Sequence, residues 1–303
     1  MTLNILWRSE GRLHMASDSR MSFPGNGDAD VGVKVMRLPI RILGANDDPE
    51  GKADFEALLD ASYAFGYAGS LANAATFGSF VEDLMLDGQY ICQDVPLSFD
   101  VVCQVLCRFS EKISTKVVAA LAEKGRFTFL LAGWCPLTNS LRGAEFTLAQ
   151  DAGQSKSTYE EVAINEGDYV AVGTGTDAFK ATLGDTPVSQ RSVLLALNTV
   201  IDSKAVDTVG GDLQYGSFDS CGNFKVACIN RVSMEKLDDV DGKQYEPTQW
   251  RAFKFRGFDL YAGWKPEDGF FPSPLVIELE VPSNDESQAA FAEHCRKTTA
   301  GVG

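Results

Sequence analysis

Histidine is nearly missing from this chain: His14 and His294 are the only two in 303 residues. A serine triad needs a histidine base, and zinc sites draw on several histidines or cysteines. Neither is expected, and no metal or other cofactor is. His14 falls inside an apolar strand pattern and is read as structural. The seven cysteines, Cys92, Cys103, Cys107, Cys135, Cys221, Cys228 and Cys295, are scattered and contain no CxxC pair. They read as reduced thiols of a cytoplasmic protein. No apolar run approaches the ~18 residues of a membrane span. Charged Arg8, Glu10 and Arg12 come too early for a signal peptide. Basic residues are outnumbered, 27 against 42 acidic, for a formal charge of −15. That balance argues against nucleic acid and anionic membranes as partners. A phosphate loop is also lacking: Gly173-Thr174-Gly175 has neither the spacing nor the lysine that such a loop needs.

What is present is enough apolar residue, 45%, for one large or two modest domains, and an unusual opening stretch. With Met1 removed, Thr2 becomes the N-terminus, and Asp18 and Lys34 follow at equal intervals. A threonine hydroxyl needs an adjacent base to act as a nucleophile. A free α-amine titrates near about 7.7–8.0, close to the optimum for a general base at neutral pH. A lysine ammonium beside it would lower that value further, and an aspartate would balance and orient the lysine. Thr, Asp and Lys are common residue types, however, and these three alone leave a purely structural role open.

The patterning around them is more informative. In Thr2–Trp7, Leu3, Ile5 and Trp7 alternate with Thr2, Asn4 and Leu6; Arg8-Ser9-Glu10-Gly11 reads as a turn; Arg12–Asp18 alternates again. This predicts a β-hairpin, which returns Asp18 to the side of Thr2. Val31–Met36 reads as a further short strand carrying Lys34.

Here the chain resembles a family. An N-terminal Thr, then Asp18-Ser19-Arg20, then Lys34 is similar to the opening of proteasome β-type subunits of the N-terminal-nucleophile hydrolases, most of all the bacterial HslV branch. Gly66-Tyr67-Ala68-Gly69-Ser70, Gly173-Thr174-Gly175 and Asp207-Thr208-Val209-Gly210-Gly211 resemble later family motifs in the same order. The resemblance implies catalytic roles for Thr2, Asp18, Lys34, Gly69 (oxyanion donor), Thr174 and Asp207, and substrate contacts at Met21, Ser22 and Tyr67. Departures are Ser70 for a Gly, Asn73 for an acidic residue, Thr174 for a Ser, and Gly210 where most such subunits carry Ser. Lys34 and Gly69 also lie farther apart than the family needs, which places an insertion at about 39–62.

Along the remaining chain, 44–51 reads as a loop and Phe55–Tyr63 as a short helix. Ser70–Leu86 reads as a helix with Phe77, Phe80, Val81, Leu84 and Met85 inward. Ser98 caps a second helix running to Lys124. Strands follow at Phe127–Gly133, Ala144–Gln150 and Tyr169–Gly173. Thr186-Pro187 opens another helix, and Asp212–Asp219 with Asn223–Arg231 closes a hairpin. This order suggests α+β layering, and the resemblance implies a four-layer αββα sandwich. The expected domain is 2–231, with 232–303 an aromatic-rich extension that packs on the core or on a neighbouring subunit. Arg251, Lys254 and Arg256 among those aromatics do not outweigh the acidic total, so nucleic-acid binding is not expected there.

The function implied is a threonine peptidase acting on polypeptide inside a homo-oligomeric ring. An AAA+ unfoldase partner is left open, because the long tail differs from the short C-terminus that docks it in the bacterial branch. Two alternatives stand beside it: an N-terminal-nucleophile amidase for a small molecule, and a catalytically silent structural subunit.

Overall fold

The computed structural model describes residues 2–23, 27–44, 57–86, 88–91, 94–151, 154–236, 245–250, 254–255, 258–259 and 275–282. The chain opens with the hairpin β1 (Leu3–Ser9) and β2 (Arg12–Ser17), a small pair β3 (Met21–Phe23) and β4 (Gly27–Ala29), and the long pair β5 (Val35–Gly44) and β6 (Ala57–Gly69). Next come α1 (Leu71–Leu86), β7 (Gly88–Tyr90) and α2 (Phe99–Leu121). Strands β8 (Phe127–Cys135), β9 (Ser140–Asp151), β10 (Gln154–Val162) and β11 (Tyr169–Gly173) follow. After α3 (Thr176–Leu183) and α4 (Gln190–Ser203) come β12 (Gln214–Phe218) and β13 (Phe224–Lys236). The remaining strands are β14 (Tyr245–Trp250), β15 (Lys254–Phe255), β16 (Phe258–Asp259) and β17 (Leu275–Pro282).

One sheet runs β11-β1-β2-β12-β13-β15-β16, with β14 and β17 also on β13; a second runs β10-β9-β8-β6-β5-β7. The opening hairpin turns through Glu10 and Gly11, both at positive φ, as a two-residue loop requires if its twist is to match the strands. Its alternation divides the strand between two cores. Leu3, Ile5 and Trp7 pack with Phe179, Leu183, Val193, Leu197 and Val200 of α3 and α4. Leu6, Leu13 and Met15 instead meet Ala64, Ala68, Leu130 and Ala132 of the second sheet. On that sheet's other face, Tyr63, Phe65, Phe129 and Phe146 pack with Phe77 and Val81 of α1 and Val102 and Leu106 of α2. Burying one such side chain contributes about 1.5–3 kcal/mol, so β1 and β2 are fixed from both faces. The structure is thus a mixed α/β fold in which each sheet carries a helix pair. No helix among the described residues is long and apolar enough to cross a membrane.

The helix starts follow local chemistry. Ser98 accepts from Val101 N at the head of α2, and Ser189 with Ser192 forms a reciprocal capping box at the head of α4. Three expectations need correction. First, α4 opens at Gln190 rather than at Thr186-Pro187, because Ser189 is the residue with the capping partner. Second, Ala57–Tyr63 is strand rather than helix: Leu59, Ala61 and Tyr63 point inward at a period of two, and the insertion lengthens the β5–β6 pair. Residues 45–56 lie outside the described ones. Third, Phe80 and Leu84 are exposed on α1; Asn73, Ala74, Phe77, Val81 and Met85 form its buried face instead. The sequence also gave no warning of β10, a polar strand paired with β9 from Gly143 to Asp151.

Candidate active site

Four strand ends of the first sheet meet at one point. Leu3 pairs with Gly173 at the end of β11, Asn4 with Ser17 at the end of β2, and Ser17 with Gln214 at the start of β12. Thr2 and Asp18 lie just beyond these pairs and so come side by side. Asp18 N–H donates to Leu3 O at 3.4 Å and Ser17 Oγ to the same oxygen at 2.8 Å. Lys34 arrives from the other sheet. It is not on a strand as expected: residues 31–34 carry no ladder, and β5 begins at Val35.

Asp18 is the hub. Lys34 Nζ donates to both of its oxygens, at 2.9 and 3.0 Å. Leu3 N–H donates to Oδ1 at 3.0 Å, and the N–H groups of Arg20 and Gly210 donate to Oδ2, each at 3.1 Å. Asp18 is 0% and Lys34 1% exposed. Burial holds the Lys34 ammonium below its ordinary pKa, and the Asp18 carboxylate opposes that shift. Desolvation acts against both charges, so the three extra N–H donors compensate the carboxylate for the water it has lost.

The flanking motifs close around this pair for steric reasons. A Cβ at Gly173, whose φ is +109°, would run into the Thr2 carbonyl oxygen, and one at Gly210 would run into the Arg20 guanidinium. Arg20 in turn bridges Asp30 through Nε at 2.9 Å and Nη2 at 3.2 Å, and reaches Asp207 O at 3.2 Å. The hydrogen bonds with Asp30 raise the Arg20 pKa and lower that of Asp30. Ser19 Oγ accepts from Asp212 N–H at 2.8 Å and donates to Asp30 O at 2.9 Å. Asp18-Ser19-Arg20 is therefore pinned at every residue.

The other expected residues lie at varied distances from this hub. Gly69 ends β6 at φ +112°, packed on Arg126 and Phe127. Thr174 and Asp207 are exposed; Thr174 Oγ1 bonds Thr208 Oγ1 at 2.6 Å. Among the described residues, no hydrogen bond joins the side chain of either to Asp18 or Lys34. Met21 and Ser22 are half-buried on β3, with Met21 against Gly32. Tyr67 is 2% exposed, its ring among Phe65 and the core and its hydroxyl donating to Val33 O at 3.1 Å. Its ring packs in the core, and its hydroxyl holds the segment that leads to Lys34. His14 stacks on Trp7 at 5.1 Å and bonds Tyr215 OH at 2.7 Å, well inside the core. Among the described residues no group of three or more His, Cys, Asp or Glu is disposed to hold a metal ion.

Two residues at the hub were not legible beforehand. Gln214 and Asn4, both buried, bond the backbone on either side of Lys34. The one available signal was a polar Asn in an otherwise apolar first strand.

No protein-family model matches the sequence, and no curated protein matches it. The fold does match solved structures. Anbu (ancestral β-subunit) from Yersinia bercovieri superposes with a TM-score of 0.50 over 71% of this chain and 81% of that one, at 16% identity. The Anbu complex from Pseudomonas aeruginosa, solved as a helical assembly, gives 0.50 over 74% and 85%, at 15% identity. At such identities the likeness is one of fold: the chain is built like the Anbu proteins, relatives within the proteasome-like N-terminal-nucleophile fold. This corrects the assignment drawn from the sequence motifs. The likeness found is to Anbu proteins and is one of fold, and no family model supports membership of the proteasome β-subunit or HslV families.

Proposed function

We propose that the chain is an N-terminal-nucleophile hydrolase that cleaves peptide amide bonds, with Thr2 as nucleophile once Met1 is removed. One observation carries the reading. A buried lysine is held by a buried aspartate, and that aspartate also accepts the N–H of Leu3, the residue directly after Thr2. An apolar pair of similar volume would serve stability about as well, so a charge pair pinned beside this terminus calls for a chemical use.

In this reading the neutral Thr2 amine takes the hydroxyl proton as Oγ attacks the carbonyl carbon. Gly69 N–H, at the end of β6 in the second sheet, stabilises the oxyanion. The C–N bond then breaks, its nitrogen leaves with the proton, and water hydrolyses the Thr2 ester. The Lys34 charge keeps the amine's pKa low enough for it to act as base at neutral pH. Thr174 and Asp207 support the terminus from their loops, and Met21 and Ser22 flank the substrate.

The three cores support a four-layer αββα arrangement for residues 2–231, with β17 of the 232–303 extension lying along β13. We also propose that the chain is a homo-oligomer. The Pseudomonas Anbu complex is a helical assembly, the outcome when a heterologous contact does not close.

One observation favours a second reading, a silent structural subunit. Asp18 ties its own segment to those of Leu3 and Gly210 through their N–H groups and to Lys34 through its ammonium, which would hold the fold together without any chemistry. Intact mass and peptide hydrolysis separate the two. The enzyme reading requires loss of Met1 and turnover that Thr2→Ala abolishes; retained Met1 with no turnover in the wild type establishes the silent subunit.

A further inference from the structure

Residues 31–34 lack a sheet partner, so their peptide groups must be satisfied elsewhere. Three buried side chains supply the partners. Gln214 Oε1 accepts the N–H of Lys34 at 2.9 Å and of Val35 at 3.1 Å, and Gln214 Nε2 donates to Gly32 O. Asn4 Nδ2 donates to Lys34 O at 3.2 Å, and Tyr67 OH to Val33 O at 3.1 Å. Gln214 is 1% exposed and makes three of these five bonds. Its own backbone is anchored on the other sheet, paired with Ser17, the residue before Asp18. One side chain therefore spans from the strand beside Asp18 to the peptide groups on both sides of Lys34.

We propose that Gln214 is the positioning residue that sets Lys34 Nζ on Asp18. Its catalytic consequence rests on Thr2 being the nucleophile; its geometric consequence does not. Lys34 reaches across from a segment with no ladder of its own. If its backbone shifts by an ångström, the ammonium leaves the carboxylate and admits water.

The test uses the full chain and two readouts. The first is the titration midpoint of the Lys34 ammonium, followed by NMR on lysine-labelled protein. The second is the rate at which Thr2 is acylated by an electrophile that needs both its hydroxyl and its free amine. Gln214→Met keeps the volume and removes all three bonds. It should raise the Lys34 midpoint, because the desolvation that water relieves outweighs the opposing pull of Asp18, and should slow acylation on the order of 100-fold. Gln214→Glu keeps the shape and, while its carboxyl is protonated, both the donor and the acceptor. It should acylate like wild type at low pH and lose rate as pH rises, a limb the wild type lacks. An unchanged Lys34 midpoint in Gln214→Met overturns the inference. Should that variant fail to fold, a Gln214→Glu profile parallel to wild type overturns it equally. If wild-type Thr2 is never acylated, the enzyme reading falls, and the Lys34 midpoint still decides the role of Gln214.

Discussion

Asp18→Asn probes the hub with the least change of shape. Five hydrogen bonds converge on the two Asp18 oxygens, three from backbone N–H groups and two from Lys34 Nζ. An asparagine offers one oxygen and an NH₂ that can only donate. Whichever way it is turned, donors face donors: Leu3 N–H in one orientation, Arg20 and Gly210 N–H in the other. Each orphaned N–H costs about 1–3 kcal/mol. Removing one partner of a buried ion pair costs about 3–5 kcal/mol. The two costs overlap, because Lys34 can release its proton, so about 3–4 kcal/mol is expected near pH 7.

The sign of the pH dependence follows from Lys34. Its folded pKa is depressed below its ordinary 10.5. Between those two values the unfolded chain binds more protons, so stability rises with pH. Without the Asp18 charge to oppose desolvation, the folded pKa falls further and the window widens downward. The gap between wild type and Asp18→Asn should therefore be larger at pH 7 than at pH 9.5. Thermal unfolding at both pH values measures it, since about 1 kcal/mol shifts the midpoint of a domain this size by about 2–4 °C. A gap below about 1 kcal/mol at pH 7, or one that does not change with pH, refutes the argument.

Other outcomes follow from the same geometry. Gly173→Ala should lower the melting point by several degrees and abolish Thr2 acylation, because its Cβ cannot share space with the Thr2 carbonyl and φ +109° is strained for any L side chain; a variant as stable and as reactive as wild type contradicts this. Burial lowers the His14 pKa below 6.5, so the neutral ring is the stable one in the fold. Stability full above about pH 6.5 should be lost as pH falls toward the folded value, and His14→Gln should flatten that part of the stability curve measured by urea midpoints. Thr2→Ser should retain part of the turnover, since it keeps hydroxyl and amine and loses only the methyl that restricts the rotamer.

Much of this fold was legible because its strands bury both faces. The alternation of Leu3, Ile5 and Trp7 against Leu6 marked a hairpin, and the hairpin by itself implied that Asp18 returns to Thr2. Ser98 and the stripe through Val102 and Leu106 marked α2 in the same way. What stayed hidden depends on contacts between distant segments. Gln214 sits between Leu213 and Tyr215 in an ordinary strand pattern, and its importance comes from reaching a segment of the other sheet. The packing of Tyr67 against Phe65 was hidden in the same way, because it depends on the α1 core. The helix expected at Phe55–Tyr63 failed because a short apolar run fits either period until its partner strand is known. The motifs located the meeting point of the strands, whereas the family they suggested was corrected by the fold itself.

The central claim is that Thr2, freed of Met1, is a nucleophile tuned by Lys34. Mass spectrometry of the purified protein after treatment with an electrophile that closes a ring on the hydroxyl and free α-amine of one residue tests it most directly. The account predicts loss of Met1, a single adduct on Thr2 in the wild type, and an adduct formed far more slowly in Lys34→Ala. An N-terminal Met1 still in place on active protein, or peptide hydrolysis by Thr2→Ala as fast as by wild type, would contradict it.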